Sequence, residues 1–169
     1  TGNLLVDNPK TIEQLFAETP HIVAAHCEDE QLIRKNSEVF RQKYGEDVPF
    51  SMHPLIRSRE ACFLSSSRAI ALAREYHKRL HILHLSTADE MKLFSNELPL
   101  HEKRITGEVC VHHLWFDDTY YERAGAGIKW NPAIKTRFDR DSLINGVNND
   151  LIDIIATDHA PHTIEEKSN

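Results

Sequence analysis

Three residues of metal-ligating type each close a short apolar run: His26 after His21-Ile22-Val23-Ala24-Ala25, His84 after His81-Ile82-Leu83, and Asp158 after Ile152-Asp153-Ile154-Ile155-Ala156-Thr157. Imidazole and carboxylate are ligands of zinc, and a zinc so held polarises carbonyls and acidifies water. Eleven histidines in 169 residues raise the expectation of metal binding without locating a site. Each residue also has a plainer reading. His26 fits a loop histidine beside the next helix, and His84 shares its run with His81. Strand alternation sets those two on opposite faces and leaves open which one points inward. Asp158 has a plainer reading too, as a turn cap. The functional reading is stronger there, because a carboxylate directly after a buried strand needs a metal or donors to offset its desolvation. His159 and His162 flank Asp158; His159 is read as structural.

The elements that must position these residues alternate in type. Thr11-Ile12-Glu13-Gln14 has the form of a capping box, opening a helix that ends before Pro20. A buried strand over His21 to Ala25 passes into polar His26-Cys27-Glu28-Asp29, and a helix follows from about Glu30 to Tyr44. After a turn-rich stretch from Gly45 to Pro54, helical spacing runs from about Ser58 to Arg79. A second strand over His81 to Leu85 leads into Ser86-Thr87-Ala88-Asp89-Glu90, which offers capping hydroxyls and early acidic residues. Ile105 to Val111 reads as a strand, Ile128 to Trp130 as extended, Asp139 to Asn149 as a helix, and Ile152 to Thr157 as a last buried strand. This alternation predicts a parallel α/β fold. The pattern alone does not separate an open sheet from a closed barrel, but polar residues at the C-terminal ends of strands match the active-site layout of a (β/α)8 barrel.

Composition narrows the function. With 40% hydrophobic and 27% charged residues the chain can bury one core, and residues 1–169 read as a single domain or one continuous part of one. No run approaches the ~18 apolar residues of a membrane span, and Thr1-Gly2-Asn3-Leu4 does not open a basic-then-apolar leader, so no membrane association and a cytoplasmic location are expected. Cys27, Cys62 and Cys110 lack a CxxC spacing and are expected to be small buried residues. A net charge of −6 with dispersed basic residues argues against nucleic acid and for a small-molecule substrate.

Ile154-Ile155-Ala156-Thr157-Asp158-His159-Ala160-Pro161-His162, followed by Glu165-Glu166-Lys167, closely resembles the dihydroorotase signature of the amidohydrolase superfamily. Further matches follow in the family's order: Ala25-His26-Cys27-Glu28-Asp29, Leu80-His81-Ile82-Leu83-His84-Leu85-Ser86-Thr87-Ala88, Glu108-Val109-Cys110-Val111-His112-His113-Leu114, and Lys129-Trp130-Asn131-Pro132-Ala133-Ile134-Lys135. The resemblance implies a TIM-type (β/α)8 metal-dependent hydrolase barrel with two zinc ions. It makes His26 and His84 the metal ligands after the fifth and sixth strands, and Asp158 the ligand after the eighth. Asp158 would also act as general base and then acid, while Asn131 and His162 would hold substrate. The implied reaction is the reversible cyclisation of N-carbamoyl-L-aspartate to L-dihydroorotate in de novo pyrimidine biosynthesis. Asn131 could instead fix a turn before Pro132, and His162 could cap the next loop. His112 and His113, beside Trp115 and Phe116, are read as packing or hydrogen-bonding residues rather than zinc ligands.

The sequence also departs from the family. The His-x-His-x-Arg motif after the first strand and the bridging carboxylated lysine, or aspartate, after the fourth are not in this chain. Thr1-Gly2-Asn3 matches the stretch just past that bridging position, so residues 1–169 are expected to run from after strand four to just past strand eight. About half a barrel leaves two sheet edges unpaired and the site short of ligands, so the chain alone is expected to be poorly stable and inactive. A homodimer is compatible with this reading. A hydantoinase or allantoinase would use the same metal centre on other cyclic amides, and a non-catalytic scaffold for another pyrimidine enzyme would not need to keep all three ligands.

Overall fold

The computed structural model describes residues 6–168, so the Thr1-Gly2-Asn3 expectation lies outside the described residues. The first helix, α1 (Pro9–Glu18), starts earlier than its capping-box reading. Asn8 is the cap: its Oδ1 accepts from the amides of Lys10 at 3.0 Å and Thr11 at 3.2 Å. Pro9 takes the first helical position, where a missing N–H leaves nothing unpaired. Strand β1 (Val23–Ala25) follows, then α2 (Glu30–Tyr44), whose cap Asp29 accepts from the Leu32 amide at 2.9 Å. Gly45, at φ 69°, ends that helix in a conformation that costs glycine little.

A 3-10 turn (Phe50–Met52) and the short α3 (His53–Ile56) precede α4 (Arg59–Glu75), capped by Ser58. The sequence extends this helix to Arg79, but it stops at Glu75. Lys78 donates its amide to the Ala73 carbonyl across a turn in which His77 has φ 52°, and the chain re-enters the sheet at β2 (Leu80–Ile82). Two further 3-10 turns, Glu90–Leu93 and Leu100–Glu102, lead to β3 (Ile105–Cys110) and α5 (Val111–Trp115). Of the extended segment expected at Ile128 to Trp130, Ile128 closes a 3-10 turn instead, while Lys129 is extended at φ −81° and ψ 95°. A 3-10 turn (Asp118–Tyr120), α6 (Tyr121–Ala124) and another 3-10 turn (Gly125–Ile128) occupy that region. Helix α7 (Arg137–Asn148) opens on a full capping box between Thr136 and Asp139, and β4 (Ile154–Ala156) and α8 (Ile164–Ser168) complete the described chain.

The four strands form one parallel sheet in the order β1-β2-β3-β4, with Ala25 beside Ile82, Ile82 beside Gly107, and Cys110 beside Ala156. Parallel pairing sends every C-terminal strand end to the same edge, which brings His26, His84, the start of α5 and Asp158 to one side. The face bearing Leu80, Ile82 and Val109 packs on Ala69, Ile70 and Ala73 of α4 and on Leu143 of α7. Leu80, Ile82 and Val109 are fully buried, each contributing about 1.5–3 kcal/mol of hydrophobic stabilisation. Alternation turns the neighbouring residues to the other face, where His81 bridges Thr106 Oγ1 at 2.9 Å and Glu108 Oε2 at 3.1 Å. At the opposite end of the sheet, Lys103 Nζ sits 2.7 Å from Asp153 Oδ1, and Asp153 Oδ2 accepts from the Gly107 amide at 3.0 Å. Among the described residues, no helix is long and apolar enough to cross a membrane.

Candidate metal centre

His26 and His84 meet across the ends of adjacent strands, with His26 Nδ1 3.0 Å from His84 Nε2 and the ring centroids 4.7 Å apart. Strand alternation does not decide the His81 question, because β2 ends at Ile82 and His84 has φ 38°. At that left-handed residue the imidazole meets His26, while His81 meets Thr106 and Glu108 on the neighbouring strand. The loop behind His84 is tied to a buried carboxylate. Glu90, fully buried, accepts from Ser66 Oγ at 2.6 Å, Thr87 Oγ1 at 2.9 Å and the Ser86 amide at 3.3 Å.

Glu28 fixes the other ring. Its Oε2 lies 3.0 Å from His26 Nε2 and also pairs with Arg57 Nη1. Carboxylate oxygen accepts, so a neutral His26 carries its proton on Nε2 and turns the Nδ1 lone pair toward His84. Burial alone would raise the Glu28 pKa, but His26, Arg57 and Lys135 outweigh it and hold the carboxyl below its ordinary value. Burial and the neighbouring His26 lower the pKa of His84, while Asp158 opposes them. The pair therefore turns two imidazole nitrogens toward one point. Two nitrogens on one tetrahedral zinc stand about 3.3 Å apart, close to the separation seen. Glu28 Oε1 and His84 Nδ1, the ring nitrogen turned away from His26, are buried with no hydrogen-bond partner among the described residues.

Strands β1 and β4 are the sheet's edge strands and not the buried strands expected, with Ile22 48%, Ile154 43% and Ile155 55% exposed, so the desolvation expected of the Asp158 carboxylate does not hold in this chain. Asp158 follows β4 at φ 46° and is exposed. Its charge acts on His84, His112 and Cys110 together, which places it on the same rim. Asn131 is exposed, in a loop held from both sides by buried histidines. His53 Nε2 donates to the Trp130 carbonyl at 2.8 Å, and His113 Nε2 donates to the Pro132 carbonyl at 3.1 Å. Burial pushes the His53 pKa down to about 4 and that of His113 well below its ordinary value. His112 stacks on Trp130 with centroids 4.4 Å apart and planes at 15°, so each of the two histidines makes one packing or hydrogen-bonding contact, while His113 Nδ1 is buried without a partner among the described residues. The three cysteines are free and buried. His162 is exposed, with its Nδ1 3.6 Å from Glu166 Oε2; the structure does not bring it against the His26–His84 pair.

Sequence reasoning missed Glu28, Arg57 and His53. Glu28 stands inside the quoted Ala25-His26-Cys27-Glu28-Asp29 segment, and a carboxylate two residues past a candidate histidine ligand was the available signal. Arg57 and His53 approach from a separate segment, which no local spacing reveals.

No protein-family model matches the chain. A dihydroorotase from Methanosphaera stadtmanae is 34% identical over 167 residues, covering 94% of this chain and 36% of the relative. A dihydroorotase from Anoxybacillus flavithermus is 35% identical over 153 residues, covering 86% of this chain and 33% of the relative. The chain thus spans about a third of the length of the curated relatives it matches. Among solved structures, a D-hydantoinase (dihydropyrimidinase) from Thermus sp. superposes with a TM-score of 0.80 at 21% identity, over 94% of this chain and 35% of that one. The parallel sheet and its helices are part of a TIM-type barrel. Over nearly its whole length the chain is similar to about a third of curated dihydroorotases, and its four parallel strands match part of a (β/α)8 barrel.

Proposed function

We propose that the chain contributes half of the active site of a zinc-dependent dihydroorotase, which interconverts N-carbamoyl-L-aspartate and L-dihydroorotate in pyrimidine synthesis in the cytoplasm. On this reading β1 to β4 are strands five to eight of the barrel, and the remaining metal ligands come from strands one to four. The observation that carries it is the convergence of His26 Nδ1 and His84 Nε2 at 3.0 Å, with the His26 tautomer fixed by Glu28.

His26 and His84 would hold one metal, and Asp158 would reach the more exposed one. Bound there, zinc polarises the ring amide and makes water acidic enough to ionise near neutral pH. The chain's own residues do the rest. Glu28, backed by Arg57, keeps the His26 lone pair aimed at the site. Asp158, exposed at the rim, accepts the proton of the attacking water and delivers it to the departing ring nitrogen, as base and then acid. Asn131 presents an amide to the pyrimidine edge from the loop that His53 and His113 anchor. His162 pairs with the substrate carboxylate, moving from its exposed position beside Glu166.

The test is dihydroorotate ring opening by a complete barrel containing residues 1–169, with zinc, beside its Asp158→Asn variant. Ring opening that falls at least a hundredfold in the variant supports the proposal. Equal opening of plain hydantoins, which lack the ring carboxylate, would move the assignment to a hydantoinase, the class of the Thermus structure. No ring opening at all would leave a non-catalytic relative.

A further inference from the structure

The strand end after β3 holds a second set of donor atoms. Cys110, His112 and His113 each place one ligand atom within 4.8 Å of the others. Cys110 closes β3 on the concave face, and the two histidines stand on the first turn of α5. Packing accounts for only part of these side chains. A carbonyl accepts and cannot donate, so a neutral His113 must carry its proton on Nε2 to bond Pro132. Its Nδ1 then bears a lone pair, and that atom is buried without a partner in a side chain only 3% exposed. His112 gives its ring face to Trp130, which leaves its in-plane nitrogens outside the stack. Burial keeps both imidazoles neutral, the form that binds metal.

We propose that Cys110, His112 and His113 bind a borderline-soft divalent cation such as zinc or cobalt(II), through one thiolate and two imidazoles, at a centre separate from the His26–His84 pair. Binding forms one metal–sulfur and two metal–nitrogen bonds and releases the Cys110 thiol proton to solvent. Without a cation that thiol stays protonated, because burial and the carboxylates of Asp158 and Glu108 push its pKa up to about 12. The same carboxylates that oppose a bare thiolate favour a dication beside it. The donors must draw in by about 1 Å to reach the spacing of one tetrahedral ion, a movement open to His112 because it is only partly buried. The fourth position faces the rim and takes water.

The experiment is titration of a complete barrel containing residues 1–169 with cobalt(II), reading the near-ultraviolet thiolate-to-cobalt charge-transfer band. The expected result is a saturable band. The band disappears in Cys110→Ser, weakens at least tenfold in affinity in His112→Ala, and survives in His26→Ala. Absence of the band, its persistence in Cys110→Ser with Cys27 or Cys62 as the source, or its loss in His26→Ala would overturn the proposal. Should Cys110→Ser fail to fold by circular dichroism, unchanged affinity in His112→Ala, on a partly exposed ring, is the overturning result. No ring-opening assay enters this readout, so it stands or falls separately from the dihydroorotase assignment.

Discussion

Replacing Glu28 tests whether the His26–His84 pair is held ready for metal or is merely packed. Glu28 accepts from His26 Nε2 at 3.0 Å and pairs with Arg57, with side-chain exposures of 0% for Glu28 and 18% for Arg57. Glu28→Ala frees the His26 ring to flip or change tautomer. Loss of such a supporting carboxylate weakens metal affinity by about 10–100-fold, or about 1.4–2.7 kcal/mol. It also strands the Arg57 guanidinium. A fully buried broken pair costs about 3–5 kcal/mol, and the partial exposure of Arg57 brings this down to about 2 kcal/mol. Glu28→Gln separates the two effects, since its amide oxygen still accepts from His26 while the charge is gone; about tenfold weaker binding is expected. The assay is zinc affinity by competition with a chromophoric chelator, in a Cys110→Ser background so that thiolate binding does not contribute, with urea unfolding in parallel. If Glu28→Ala unfolds earlier yet binds zinc as tightly as its parent, Glu28 is structural and the argument for a preset His26 tautomer fails.

Acid should destabilise the fold well above the carboxylate range. The unfolded His53 ring titrates near 6.5 and the folded one near 4. Between those values the unfolded state binds more protons, so stability present above pH 6.5 is lost as pH falls toward 4, by up to about 3 kcal/mol. The gap between urea midpoints at pH 7 and 4.5 should narrow in His53→Gln, with the buried His112 and His113 keeping the remainder, and an unchanged pH slope in that variant would contradict the assignment. Gly107→Ala should cost about 1–3 kcal/mol by overpacking, because its Cβ would lie 2.7 Å from Leu85 Cδ1 and 2.9 Å from Phe94 Cε1; a urea midpoint equal to the parent's would refute the packing. Lys103→Met should cost about 3 kcal/mol, since it leaves the Asp153 carboxylate, whose side chain is 3% exposed, without its cation. A thermal melt that Lys103→Met leaves unmoved would show that ion pair to be inert.

The C-terminal ends of the strands were legible in the sequence because an apolar run is followed at once by a polar ligand type, as at Ala25-His26 and Thr157-Asp158, whereas their order in the sheet was not in the pattern. Helix α2 was legible too, with polar Asp29 ahead and Gly45 behind supplying both stop signals. Boundaries failed where a local signal had a stronger neighbour. Asn8 with Pro9 captured the start of α1 ahead of Thr11, and the turn at His77 ended α4 before its helical spacing ran out. Ile128 to Trp130 read as extended from residue type alone, yet glycines 125 and 127 and the burial of Ile128 against Tyr121 and Ile134 favour compact turns. The site was half visible. Residues that supply lone pairs announce themselves by type, whereas those that fix a tautomer or anchor a loop, such as Arg57 and His53, act through contacts 29 and 77 residues away in sequence.

His84 and Asp158 both sit in the left-handed region, at φ 38° and 46°. Glycine enters that region without steric cost, whereas histidine and aspartate, though found there more often than most side chains, do not. Variants selected only for resistance to heat should therefore accumulate glycine at these two positions, gaining stability where the barrel rim loses its donors. A laboratory lineage evolved under thermal selection without substrate would drift first at the residues that most define the chemistry, and a stabilised descendant that keeps both residues would have to find its gains elsewhere.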